Sequence, residues 1–163
     1  MKRKFIALII CIICIICIST ANAQNFSTEF LSSVNQRDVS VVTVNQSMIE
    51  SLRRRETNRD IQAFLSELNF LRIISADNPR NAVRLYENAV SALRENAGFE
   101  ELLSMEEGRQ RVKIVALTPE NNRTPEIVMI SYISNASLTI VNITGDIDIS
   151  DLSQLATTIR NLR

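Results

Sequence analysis

Histidine is missing from this 163-residue chain, and its three cysteines, Cys11, Cys14 and Cys17, all fall within one apolar run near the start. The rest of the chain therefore lacks the usual zinc ligand sets, a thiol nucleophile and the Ser-His-Asp relay. Glycine is scarce: Gly98, Gly108 and Gly145 are the only three, so no glycine-rich phosphate loop exists. Lys113 is the one lysine beyond the first stretch, in "RVKIVAL", with no serine at dyad-like spacing. The carboxylate pairs Glu100-Glu101 and Glu106-Glu107 flank a hairpin. Adjacent strand residues point to opposite faces, so these read as solvated rim residues and not as a glycosidase pair. The expectation is a chain with no catalytic residue, no metal site and no cofactor.

The opening "MKRKFIALIICIICIICISTANAQ" carries Lys2, Arg3 and Lys4 and then an unbroken apolar run from Phe5 to Ile18. That run is shorter than the ~20 residues a spanning helix needs. It closes on Ala21-Asn22-Ala23, the small-x-small pattern of a signal peptidase site, so cleavage between Ala23 and Gln24 is expected. The sequence thus predicts an exported protein of the periplasm or cell envelope, with residues 1–23 a signal peptide and 24–163 a single domain. A lipid-modified cysteine needs a small residue before it, whereas Cys17 follows Ile15-Ile16, so lipid anchoring is not expected. Without cysteine, the processed chain must be held by an ordinary core in place of disulfide staples.

Three of the 18 basic residues belong to the leader, leaving 15 against 18 acidic, a net charge of −3. That balance does not advertise a polyanion partner. The triplet Arg53-Arg54-Arg55 follows a helical pattern between Glu50 and Glu56, where cations offset the dipole at a helix C-terminus. Nucleic acid is not an expected partner. Asparagines in the x-Ser/Thr context occur at Asn25, Asn45, Asn122, Asn135 and Asn142, acceptors only in a eukaryotic secretory route.

Along the chain, "FSTEFLSSV" is a short amphipathic opening and "DVSVVTV" (38–44) a β-branched strand. "NQSMIESLRRR" sets Met48, Ile49 and Leu52 on one helical face, and "IQAFLSEL" is a second short helix running into the strand "NFLRIISA". In "DNPRNAVRLYENAVSALRENAG", Pro79 suits the first helical position, Val83, Tyr86, Val90, Leu93 and Ala97 recur at helical spacing, and Gly98 stops the helix. Four short extended runs follow: "FEELLSM", "RVKIVAL", "EIVMISYI" and "SLTIVNITGDIDI", joined by turn-forming pieces. A last helix is expected over "SDLSQLATTIRNL", with Leu152, Leu155, Ile159 and Leu162 in a stripe. The class is α+β: a mainly antiparallel sheet with a C-terminal four-strand meander and helices packed on it.

Asp146, Asp148 and Asp151 lie within six positions, the first two inside the last predicted strand and the third just beyond it. Val141, Ile143, Ile147 and Ile149 share the core parity, so Asn142, Thr144, Asp146 and Asp148 are expected to face away from the core. A calcium loop counted from Asp146 needs glycine at position six and glutamate at position twelve, where the chain has Asp151 and Thr157. A strand-to-helix cap, with Asp148 or Ser150 accepting backbone N–H bonds, fits better. Gly145 is read as a bulge or a close backbone approach.

"EIVMISYI" is apolar on both parities, Ile127, Met129 and Ile133 on one side and Val128, Ile130 and Tyr132 on the other. Either the fold covers both faces or the second face meets a partner or another copy.

The order of pieces "DVSVVTVNQSMIESL", "LNFLRIISADN", "ENAGFEELLSMEEGRQRVKIVAL" and "ITGDIDISDLSQLA", from about Arg37 to Ala156, resembles the domain of unknown function 4252 family. The resemblance implies a small exported or lipid-anchored protein of Bacteroidota, without an assigned activity, in a genetic setting of envelope response. The function expected is a non-enzymatic envelope protein that binds an envelope protein or itself. The alternative is a small-molecule or ion-binding periplasmic domain using the sheet and the Asp146/Asp148 edge.

Overall fold

The computed structural model describes residues 25–96, 98–117 and 125–147. The elements run α1 (Phe26–Ser33), a 3-10 turn (Gln36–Asp38), β1 (Ser40–Asn45), α2 (Gln46–Arg55), α3 (Arg59–Glu67), β2 (Leu68–Ala76) and α4 (Pro79–Glu95). They continue as β3 (Phe99–Glu107), β4 (Gln110–Leu117), β5 (Glu126–Ile133) and β6 (Ser137–Gly145). The six strands form one sheet in the order β1-β2-β6-β5-β4-β3, and every neighbouring pair is antiparallel. The fold is α+β, and β3–β6 are the expected C-terminal meander.

Local chemistry sets the boundaries. Each of these four helices opens on an asparagine, Asn25, Asn45, Asn58 or Asn78, whose side-chain oxygen accepts a first-turn backbone N–H. This satisfies a donor that the helix itself cannot. Pro79 fills the first position of α4, and Gly98 follows the helix at φ 129°, a conformation glycine adopts readily. The two-residue turn between β3 and β4 places Gly108 at φ 56°, and Asn135 takes the left-handed position between β5 and β6 at φ 57°.

α1 and α4 cover one face of the sheet. Beneath them lie Ile74 and Ala76 of β2, Leu138 and Ile140 of β6, Val128, Ile130 and Tyr132 of β5 and Val115 of β4. The Tyr86 ring stacks on Tyr132 at 4.6 Å, and Phe26 meets both Phe30 and Phe99. The buried stripe of α4 is Ala82, Leu85, Ala89 and Leu93. Sequence spacing nominated Val83, Tyr86, Val90 and Leu93, of which only Leu93 belongs to that stripe. Val83 is exposed, and Tyr86 and Val90 are half-buried. Two alanines lie in the buried stripe, so the inward face is offset by about one residue from Val83, Tyr86 and Val90. Ala97 lies outside the described residues.

A second, smaller cluster lies on the other face, where Ile49 of α2 and Leu68 meet Ala116, Ile127 and Ile147. Both faces of β6 are therefore used, and the expected parity is corrected. Asn142 does not face solvent but is fully buried on the α1 side. Asp146 is exposed, as expected, while Ile147 is buried. The predicted cap at Asp148 or Ser150, Asp151 and the predicted final helix lie outside the described residues, as do Ala23 and Gln24. Gly145 is a close approach, since a Cβ there would stand 2.1 Å from the Glu67 carbonyl oxygen. Opposite it, β2 carries a register irregularity between Leu68 and Phe70. Among the described residues no helix is long and apolar enough to cross a membrane.

Candidate interaction surface

Among the described residues, the reactive types singled out by sequence do not converge. Lys113 stands opposite Ser104 in the β3–β4 register, but its ammonium forms an ion pair with Glu101. Glu106 accepts from Arg111 across the same hairpin at 3.0 Å. Its hydrogen bond and charge raise the Arg111 pKa above the usual value. Glu100 and Glu101 oppose Ala116 and Val115 respectively, on opposite faces, as strand alternation requires. Among the described residues no three His, Cys, Asp or Glu side chains gather as a metal site.

One polar cluster is buried, and sequence reading missed it. The Glu126 carboxylate oxygen Oε1 accepts the Phe26 backbone N–H at 2.7 Å and the Asn142 side-chain N–H at 2.6 Å. Asn142 also accepts the Ser27 backbone N–H at 3.3 Å and donates to the Ile127 carbonyl at 3.3 Å. A carboxylate at the first turn of α1 complements the positive end of the helix. Beside it, Arg72 stacks on the Phe70 ring at 4.8 Å and donates to the hydroxyls of Ser27, Thr28 and Thr43. Partial burial lowers its pKa. The cluster ties α1 to the sheet through Glu126, Asn142 and Arg72, which makes it a structural clasp.

The exposed large apolar side chains are concentrated in one stretch of the chain. Among the described residues eight large hydrophobic side chains are exposed, and six belong to residues 41–64: Val41, Val42, Met48, Leu52, Ile61 and Phe64. Sequence spacing placed Met48 and Leu52 with Ile49 on one face of α2, yet only Ile49 is buried, and Met48 and Leu52 are 50% and 51% exposed. Strand β1 is exposed at every position but Val44, which is half-buried. The Arg53–Arg55 triplet ends α2, as its dipole favours.

The sheet carries this surface inward. Registers align Val42, Ile73, Val141, Met129, Ile114 and Leu103 as one apolar row across all six strands. Ile73, Val141, Met129 and Ile114 are only half-buried. The second face of "EIVMISYI" is thus partly self-covered: Ile127 joins the small cluster, Met129 is half-buried and Ile133 is exposed.

The family model described as domain of unknown function (DUF4252) matches residues 30–155. The chain belongs to the DUF4252 family. That match runs from within α1 through all six strands, so the exposed β1–α2–α3 flank lies inside the DUF4252 region. No curated protein matches the chain.

Proposed function

We propose that this DUF4252 protein is an exported, non-enzymatic protein-interaction module of the cell envelope. The single observation that supports this most is the concentration of exposed apolar side chains on β1, α2 and α3. Exposed apolar side chains are costly to leave in water, and a stretch that gathers several of them supports a binding role. Export is supported by the charged start, apolar run and Ala21-Asn22-Ala23 ending of the leader. A non-enzymatic role is supported by the lack of histidine and by the engagement of Lys113 with Glu101. An envelope-response setting is the context the family resemblance adds.

The experiment is affinity capture of the tagged full-length chain from detergent-solubilised envelope, compared with a Met48→Glu, Leu52→Glu variant of matched circular dichroism. The parent is expected to retain a reproducible protein set that the variant loses. Identical sets, or nothing beyond the tag control, would count against the proposal.

A further inference from the structure

The sheet ends in two edges of opposite character. β3 carries Glu100, Glu101, Glu106 and Glu107, and Glu101 and Glu106 are tied to cations of β4. Charge along an edge discourages another strand from adding to it. The β1 edge, "SVVTVN", has no charge, no proline and no glycine, and three of its six residues are valine. Val41 and Val42 lie on opposite faces and are 42% and 54% exposed. Among the described residues β1 pairs only with β2 in the sheet order, so its outer backbone groups face away from the described sheet. An edge with these properties is a template for strand addition.

We infer that β1 pairs with β1 of a second copy of this chain, antiparallel, to make one continuous sheet of two subunits. The inference rests on reading the β1 flank as a binding surface and commits its edge to this one occupant. Charge selects the pairing: two β3 edges would oppose glutamates, and β1 on β3 would be head-to-tail and leave open ends. Two β1 edges close as an isologous dimer. A two-fold axis normal to the sheet keeps each face on its own side, so residues standing opposite must share parity. Some β1 residue then faces its own copy. Centring the axis on Val42, the more exposed valine, sets Ser40 opposite Val44 and Val41 opposite Thr43. The apolar row from Val42 to Leu103 then continues through the interface into the second subunit. The two Val42 Cβ atoms would lie about 4.5–5.5 Å apart.

Self-opposition at position 42 gives the test its signature. The full-length chain, tagged at its C-terminus, is expressed with Val42→Lys, with Val42→Glu, and as a mixture of both, and its mass is followed by light scattering across a concentration series. The parent is expected to be dimeric, each single variant to lose about tenfold or more in dimer affinity through like-charge opposition, and the mixture to regain the dimer. In parallel, Val42→Cys is expected to cross-link to a covalent dimer under mild oxidation. Val83→Cys, exposed on α4, and the parent with only its leader cysteines are the controls. A monomeric parent, a mixture no more dimeric than its components, or cross-linking at Val42→Cys no greater than at Val83→Cys overturns the inference. Capture of an envelope protein by a monomeric parent would overturn self-pairing while leaving the interaction module standing.

Discussion

At the scale of single residues, the molecule depends on side chains whose value is in hydrogen bonding. Asn142 has no exposed surface and serves Ser27, Glu126 and Ile127 at once. Replacing it by leucine keeps the number and branching of side-chain heavy atoms but removes one donor from Glu126 and the acceptor of the Ser27 N–H. Asn142→Leu is expected to lower unfolding stability by about 1–3 kcal/mol in urea denaturation, and an unchanged midpoint would contradict the clasp. The same burial makes Asn142 inaccessible to glycosylation in the folded chain. The helix caps are simpler: Asn78 accepts from Arg80 N at 3.0 Å. Asn78→Ala is expected to cost about 1 kcal/mol, and Asn78→Asp little, in the same assay.

At the scale of elements, Gly145 shows how β6 is let into its place. Its missing Cβ admits the Glu67 carbonyl, and the next residue's N–H donates to that carbonyl at 2.8 Å. Gly145→Ala must push backbone against backbone, so thermal denaturation is expected to show a loss of about 1–3 kcal/mol. An unshifted Tm would mean the β2–β6 junction yields freely. Elements were largely legible in the sequence because period and turn chemistry are local properties: the meander, Pro79 at the start of α4 and the stop at Gly98 follow from neighbours alone, whereas the asparagine caps went unread. Which side of an element faces inward was less legible. Alanine carries a weak hydrophobic signal but allows close packing, so the Ala82–Ala89 side of α4 was overlooked in favour of Val83. Asn142 was assigned outward because a polar residue reads as solvent-facing until its partners, Phe26, Ser27 and Glu126, are brought near from distant parts of the chain. Likewise the apolar face of α2 was visible in Met48, Ile49 and Leu52, but its period cannot say whether the chain itself covers that face.

At the scale of the whole molecule, the two faces of the sheet are unequally used. Among the described residues α1 and α4 close one side over an aromatic-rich core, while α2 and α3 close only part of the other. The unclosed part, the uncharged β1 edge and the exposed side chains of α2 and α3 form the flank on which the proposed function stands. The most direct measurement is photo-cross-linking in the source cells, with a photoreactive residue placed at Leu52 of the full-length chain and, separately, at Val83. Both positions are exposed, at 51% and 40%, so exposure alone does not separate them. The account predicts discrete cross-linked protein products from position 52 and none from position 83. Equal products from both positions, or none from position 52, would contradict it.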